Sequence, residues 1–422
     1  MNESAALAER FAGLVDREEA VALLRRAIAR QSVTGNEADF ADFLEVQLQE
    51  RSLSPERAEF LPGRPNIWGE RKGSGEGPRL LFAGHTDTVH AGGWKERWKG
   101  TERENPFSGA IVDGEIWGRG AGDLKAGICA SLAALDLLDK AGIRLAGDVA
   151  FAFVGDEESG EPGIGVSAGI KQYTEQVLSG RIPRPDFAVY VEPTRLSVFP
   201  AQMGFFIADV TVTGKSAYFG MPELGVDALK AMHAILGAVW KHSDAISRRA
   251  EHPLVGRGFA LVTRISGGGY IAVPGECSFS LIRKLLPVED MDGAVAELEA
   301  VIRGAPVEEG ISVDIAWPSG RDRKHGGLPA EIDPGLAPVR ALSRALSAAM
   351  PGRGEIEGAP FWSESSFFVN RMGCPAVYSA PGDIANCHTL EERVNVDEYI
   401  AGIIAFAVFI AGYCSTAETR FH

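Results

Sequence analysis

The glycine-rich segment Gly118-Arg119-Gly120-Ala121-Gly122-Asp123-Leu124-Lys125-Ala126-Gly127 is the feature that most restricts how this chain can fold. It leads into an apolar run at residues 128–138 with helical spacing. Glycines allow a tight bend and a close backbone approach, more than a plain connection requires, and this bend carries Asp123. Because an aspartate just before an apolar helix is normally its N-cap, both a capping and a functional role are open here. Which of the two roles Asp123 has depends on the side chains at the ends of the neighbouring strands.

The length, the charge and the cysteines narrow the class of protein. A chain of 422 residues is too long for one core and suits two domains. The charge of 42 minus 57, or −15, argues against a nucleic-acid surface and against attraction to anionic membranes. Five scattered cysteines without a Cys-x-x-Cys pair are typical of reduced thiols. With the longest apolar run, residues 401–412, short of a membrane span, we expect a cytoplasmic protein.

The order of strand and helix patterns predicts an α/β protein with an inserted unit. Apolar strand patterns at residues 79–82, 148–154 and 187–191 alternate with helical patterns, as in an open α/β sheet. Residues 203–317 instead give the order strand, helix, strand, strand, helix, strand, which is the ferredoxin-like layout. After residue 320 the alternation resumes. We therefore predict one domain formed by residues 1–202 and 321–422, interrupted by a domain at residues 203–320.

Polar clusters follow the carboxyl ends of these apolar strands. His85, Glu157 and Glu192 begin such clusters, and His388 follows the last strand by a loop. Open α/β sheets bind ligands at this edge, so these side chains are expected to meet there with Asp123. Unpaired acids at close range repel each other, and divalent cations remove that conflict. Imidazole and carboxylate ligands without a thiolate suit zinc, manganese or cobalt.

Taken together and in this order, the motifs resemble those of the M20 family of metallopeptidases and deacylases. That family includes carboxypeptidase G2, succinyl-diaminopimelate desuccinylase, acetylornithine deacetylase and aminoacylases. The resemblance implies a central mixed sheet with helices on both faces, an inserted lid domain that also pairs subunits, and one or two divalent ions per subunit. It implies that one ion is held by His85 and Glu192, the other by Glu158 and His388, and both by Asp123.

The same resemblance implies roles for two further residues. Asp87 is the aspartate that orients the site, and Glu157 is the general base next to the ligand Glu158. Paired ions roughly 3.5–4 Å apart bring the pKa of a shared water toward about 7. A base such as Glu157 typically contributes about 10²–10⁴ in rate.

The inserted domain departs from the family pattern. Tyr218 stands where a histidine that holds the substrate oxyanion is expected, and a neutral phenol is not a cation near pH 7. Ile282 replaces a usual aspartate, and residues 270–273 lack the expected asparagine. Arg283 is the candidate clamp for a substrate carboxylate, with an ion pair inside the lid as the alternative. These changes suggest a substrate flatter than an acyl amino acid.

We therefore predict a hydrolase that cleaves a C–N bond of a small carboxylate-bearing substrate, most simply an amide of the N-acyl amino acid or dipeptide type. One alternative is release of an aromatic amino group as ammonia, as in the family member that acts on 5-nitroanthranilate. Another is a non-catalytic binding protein on the same fold. The lid resemblance also implies a homodimer or a higher homo-oligomer.

Overall fold

The computed structural model describes residues 3–158 and 165–415. Contacts divide the chain into two compact units. Unit 1 comprises Met1–Pro200, Ile332–Gly358 and Ser363–His422, and unit 2 comprises Ala201–Glu331 and Ala359–Trp362. Unit 2 has wider bounds than the insert predicted at residues 203–320, and it includes a short return segment that the sequence did not suggest.

The helices, in chain order, are α1 (Glu3–Ala12), α2 (Arg17–Ile28), α3 (Ala38–Glu50), α4 (Trp94–Arg97), α5 (Ala126–Lys140), α6 (Ala168–Leu178), α7 (Ala228–Arg249), α8 (Met291–Arg303), α9 (Ala337–Ala349) and α10 (Val396–Tyr413). The strands are β1 (Glu56–Leu61), β2 (Arg64–Arg71), β3 (Leu80–His85), β4 (Ala110–Val112), β5 (Glu115–Trp117), β6 (Val149–Val154), β7 (Phe187–Tyr190), β8 (Val198–Gln202), β9 (Gly204–Thr213), β10 (Phe259–Gly267), β11 (Glu276–Leu285), β12 (Ser312–Ala316), β13 (Gly326–Gly327), β14 (Ala330–Glu331), β15 (Ile356–Ala359), β16 (Ala376–Tyr378) and β17 (Arg393–Asn395).

Unit 1 is built on a mixed sheet in the order β1-β2-β6-β3-β7-β16-β8, with β15 also paired to β8. The strands β6, β3, β7 and β16 run parallel to one another, whereas β1, β2 and β8 pair antiparallel. The central strands are completely buried, as their continuous apolar sequences require. The prediction of an α/β fold with a central mixed sheet is confirmed, and the parallel strands place their carboxyl ends at one edge.

The helix α10 is an apolar helix inside unit 1. It packs against α5, α9 and α1. Its 18 residues, with a mean hydropathy of 1.6, pass a length and composition test for a membrane span, but 78% of that stretch is buried within the protein. The apolar run at residues 401–412 is part of this longer helix, which begins at Val396. Its burial is that of a core helix.

Unit 2 has the element order predicted from the sequence. Its sheet has the strand order β10-β11-β9-β12, and these strands pair antiparallel. The helices α7 and α8 pack on one face and enclose a core that includes Phe206, Ile235, Leu281 and Leu298. The ferredoxin-like layout of this unit is thereby confirmed.

Candidate metal centre

The candidate ligands come from the carboxyl ends of the parallel strands of unit 1. His85 is the last residue of β3, and Glu158 follows the end of β6 by four residues. Glu192 follows β7 by two residues, and His388 lies in the connection after β16. The sheet therefore brings together side chains that are far apart in sequence. Of the acidic turn expected at residues 155–160, the last two residues lie outside the described part of the chain.

The glycine-rich bend presents Asp123 and does not use it as a helix cap. Asp123 has φ −116° and ψ 92°, which is not helical, and the cap position of α5 is occupied by Lys125 without a side-chain cap bond. Gly120 has φ +82°, and a Cβ on Gly127 would lie 2.3 Å from the Val191 carbonyl oxygen. The capping interpretation is therefore wrong, because the bend turns the Asp123 carboxylate toward the imidazoles instead.

The first cluster contains His85, Asp123 and Glu192, all of them buried. The Nε2 atom of His85 lies 3.1 Å from Oδ1 of Asp123 and 3.6 Å from Oε1 of Glu192. The other ring nitrogen, Nδ1, donates to the Asp87 backbone carbonyl at 2.9 Å. This hydrogen bond fixes the tautomer in which Nε2 has a free lone pair, as a metal ligand needs.

The second cluster contains Asp123, Glu158 and His388. The Nε2 atom of His388 lies 3.2 Å from Oδ2 of Asp123 and 2.9 Å from Oε1 of Glu158. The His388 side chain is 54% exposed, so this cluster opens to solvent, unlike the first. Asp123 contributes one oxygen to each cluster, which is the arrangement of a bridging carboxylate.

Asp87 acts on the backbone of the acidic turn. Its carboxylate accepts hydrogen bonds from the backbone N–H groups of Glu157 and Glu158 at 3.2 and 2.9 Å, and from the Thr34 hydroxyl at 3.0 Å. The Glu157 side chain is half-buried and next to the second cluster in sequence. The Asp87 carboxylate therefore holds the turn that carries the candidate base, and its orienting role in a reaction stays a prediction.

The site is electrostatically strained in a way that cations would relieve. Burial and the Asp123 charge raise the pKa of Glu158 to about 8 and that of Glu192 well above its usual range. Hydrogen bonds to Asp123 and Glu158 raise the pKa of His388 to about 11. The Oδ1 atom of Asp123 is buried and receives no hydrogen bond from residues 3–158 or 165–415. Because buried acids compete here for protons, and one of their oxygens is unpartnered, the donor set fits two divalent ions.

Polar residues that the sequence analysis did not single out support the ligands. The Ser363 hydroxyl donates to Oε1 of Glu192 at 2.7 Å. Glu364, fully buried, accepts from the Tyr190 hydroxyl at 2.9 Å. Glu392 accepts from the backbone N–H of Asp123 at 3.1 Å. These residues lie in loops with no apolar periodicity, and only the short Ser-Glu-Ser-Ser run before Phe367 was a visible signal.

The two candidate substrate contacts lie in unit 2. Arg283 is 1% exposed, pairs with Glu289 and donates to the Lys284 carbonyl. These contacts occupy donors that a carboxylate clamp would need, and they match the alternative of an ion pair within this domain. Tyr218 is 61% exposed and packs on Phe219 with ring centroids 4.6 Å apart. The roles of both residues toward a substrate stay predictions.

The comparisons with known proteins define the class. A profile of peptidase family M20/M25/M40 matches residues 81–412, so the chain belongs to this family. Because the members of this family are metal-binding hydrolases, the chain is a hydrolase of this class. The chain is 26% identical over 396 residues to succinyl-diaminopimelate desuccinylase of Cupriavidus necator, covering 89% of this chain and 94% of that one. It is also 26% identical over 378 residues to acetylornithine deacetylase of Vibrio campbellii, covering 86% and 88%.

Solved structures share the fold. An M20 family metallo-carboxypeptidase from Sulfolobus solfataricus superimposes with a TM-score of 0.73 at 17% identity, covering 94% of this chain and 99% of the other. A dinuclear metal-binding M20 peptidase from Bacillus subtilis does so with a TM-score of 0.61 at 14% identity, covering 96% and 99%.

Proposed function

We propose that this protein hydrolyses an amide bond in a small carboxylate-bearing molecule of the N-acyl amino acid or dipeptide type, with water as the nucleophile and Glu157 as the general base. The observation that carries the proposal is the sharing of Asp123 between two clusters, each completed by one imidazole and one further carboxylate. The names of the relatives support an amide as the scissile group, because a desuccinylase and a deacetylase both remove an acyl group from nitrogen.

The candidate ligands would hold two divalent ions. His85 and Glu192 would bind one, Glu158 and His388 the other, and Asp123 both. Bound there, such ions would polarise the substrate carbonyl and lower the pKa of a water molecule. Imidazole and carboxylate donors support zinc, manganese or cobalt and do not select among them.

The protein's own groups have separate tasks in this scheme. Asp87 holds the backbone at Glu157 and Glu158, so that the candidate base stays beside the ligand. Glu157 takes a proton from the attacking water and returns it to the departing nitrogen, which then leaves as a neutral amine. The His85 hydrogen bond to the Asp87 carbonyl keeps Nε2 available as a donor.

A second candidate reaction is supported by the exposed aromatic pair in unit 2. The Tyr218 and Phe219 rings pack against each other with their planes tilted by 50°, and they stand largely in solvent, at 61% and 57% exposure. Exposed aromatic rings can pack against a flat aromatic substrate. This arrangement supports hydrolysis of an aryl amine with release of ammonia as the alternative to amide cleavage.

The decisive experiment offers the metal-loaded protein a matched panel. N-succinyl and N-acetyl amino acids, dipeptides and aminobenzoates are each paired with the analogue in which the substrate carboxylate is an amide. We expect acid or amine release from a carboxylate-bearing amide and at least about tenfold slower turnover of its carboxamide partner. Ammonia from an aminobenzoate alone would establish the alternative. No turnover of any compound after loading with zinc, manganese or cobalt would contradict both reactions.

Glu157→Gln is the matched test of the base. We expect kcat to fall by about 10²–10⁴ because the amide cannot accept the proton. Metal content should be unchanged, since Glu157 belongs to neither ligand cluster. Full activity of the variant would remove Glu157 from the mechanism.

We also propose that unit 2 pairs two subunits in a cytoplasmic homodimer. The strand β10 is a sheet edge that exposes Leu261 and Ile265 at 53% and 54%. Such an apolar edge is unfavourable in water and is commonly covered by another strand. Light scattering should give twice the mass of one chain, and Leu261→Lys should give monomers. The absence of nucleic-acid and membrane partners stays a prediction from charge.

A further inference from the structure

Glu392 and Arg119 form a buried ion pair beside the bridging carboxylate, and neither has a role in the proposed chemistry. Glu392 is 1% exposed and Arg119 is 2% exposed. A buried ion pair is weak evidence for stability, because the desolvation of both charges offsets their attraction. The role of this ion pair is therefore inferred from the groups that it contacts.

Each carboxylate oxygen of Glu392 has a separate task. Oε1 accepts the backbone N–H groups of Gly122 and Asp123, both at 3.1 Å. Oε2 accepts from Nη1 of Arg119. The bend that carries the bridging ligand is therefore bonded to a residue only four positions after the ligand His388.

Arg119 connects the pair to the surrounding loops. Its Nη2 donates to the Thr389 carbonyl at 3.0 Å, and its Nε donates to the His90 carbonyl at 3.2 Å. On the opposite side, the Trp98 indole N–H donates to the Leu390 carbonyl at 2.6 Å. Together these contacts hold residues 389–392 at both ends.

We propose that Glu392, with Arg119 as its counter-charge, is a positioning residue that sets the distance between Asp123 and His388 and so determines how tightly the second ion is held. This inference rests on the proposed metal centre. Asp123 has non-helical backbone angles, and its N–H and that of Gly122 both donate to Glu392, so these two contacts restrain this part of the bend. Outer contacts of this kind typically change metal affinity by about 10–100-fold when they are removed.

Glu392→Gln is the sharpest variant because it keeps the shape of the side chain. An amide has one acceptor oxygen and one NH₂ donor, so in either orientation the donor faces Arg119 or the backbone N–H groups. Glu398→Gln is the matched control. Glu398 is also buried, at 6% exposure, and accepts from the Gly382 N–H at 2.8 Å and from Arg353 at 2.9 Å, whereas the N–H groups of Gly122 and Asp123 donate to Glu392.

The measurement is the dissociation constant for zinc and for manganese, obtained by competition with a chromophoric chelator. We expect Glu392→Gln to raise the constant of the second ion by about 10–100-fold, and Arg119→Lys to raise it less, because lysine keeps the charge but not the three contacts. The thermal midpoint of the metal-free protein should fall equally in Glu392→Gln and Glu398→Gln.

Three results would overturn the inference. They are wild-type affinity, within about twofold, in Glu392→Gln; an equal loss of affinity in Glu398→Gln; and a raised KM with unchanged metal binding. Failure of the wild-type chain to bind metal would refute the proposed function as well. Normal wild-type binding with an unaffected Glu392→Gln would refute only the positioning role.

Discussion

Oδ2 of Asp87 accepts a hydrogen bond from the backbone N–H of Glu158 at 2.9 Å. Its other oxygen is 3.9 Å from Nδ1 of His85, which instead bonds to the Asp87 carbonyl at 2.9 Å. Asp87 therefore orients the imidazole through its main chain and the acidic turn through its side chain. The two functions can be separated by mutation.

Asp87→Asn should damage the turn and spare the His85 ring. The NH₂ group introduced at position 87 cannot accept a hydrogen bond, so one of the two backbone N–H groups of the acidic turn loses its acceptor. We expect this to displace Glu157 and to lower kcat by about tenfold or more. Metal held by His85 should stay. Steady-state kinetics and metal analysis measure the two effects. Asp148→Asn is the control, because Asp148 accepts a hydrogen bond from the Gly73 N–H at 3.0 Å at the opposite end of β6. Loss of both ions in Asp87→Asn would contradict this division.

Removing single ligands should give different metal contents. Asp123→Ala takes one donor from each cluster, whereas His388→Ala disables only the second and His85→Ala only the first. We expect the two histidine variants to retain about one ion each after dialysis, and Asp123→Ala to retain less than either. Elemental analysis measures this directly. Equal contents in all three variants would mean that Asp123 is not shared.

The hydrogen bond from Ser363 to Glu192 should contribute to affinity at the first cluster. Ser363→Ala leaves Oε1 of Glu192 without this donor, and hydrogen bonds to charged groups contribute about 1.5–3 kcal/mol. We therefore expect metal affinity to fall by about 10–100-fold. Ser366→Ala is the control, since the Ser366 hydroxyl is buried in the same loop without a hydrogen-bond partner. The same loss in both variants would assign the effect to packing.

Lys284 should make the stability of unit 2 depend on pH. Burial lowers the pKa of this lysine from 10.5 to about 8, with its Nζ 5.9 Å from the centre of the Phe205 ring. Between those values the unfolded chain binds more protons than the folded one, so stability rises with pH in that window. The cost is therefore nearly complete at pH 7, falls to about a quarter of that value at pH 10 and disappears only above the unfolded pKa of 10.5.

Lys284→Met should accordingly be more stable than the wild type by about 1–3 kcal/mol at pH 7, with the difference falling to about a quarter of that value at pH 10. Urea unfolding at both pH values measures it. The exposed Lys230, replaced in the same way, should change stability by less than about 0.5 kcal/mol at either pH. A gain that is as large at pH 10 as at pH 7 would indicate improved packing instead.

Much of the fold was predictable because its apolar patterns are strong. The buried strands β3, β6 and β7 and the element order of unit 2 follow from continuous or periodic apolar sequences. The strand β8 was missed because Pro200 interrupts its pattern, and prolines are unfavourable in sheets. The helix α1 was missed because its apolar residues are few among charges and alanines.

The candidate ligands were predictable because they follow apolar strands or lie in an unusual glycine run, although His388 is separated from the last strand by a loop. The supporting residues were not. Glu392 and Ser363 depend on contacts with residues more than 170 positions away, and no local pattern encodes such a pairing. Asp123 illustrates the same limit, since its sequence neighbours suit a helix cap and only the folded bend excludes it.

The discontinuity of unit 1 has a consequence for biosynthesis. Its second cluster needs His388, and its core needs α10, and both are synthesised after unit 2. Unit 2 is nearly continuous in sequence, so it can collapse while the peptide is still being made. A nascent chain therefore lacks the imidazole of the second cluster until residue 388 has been synthesised.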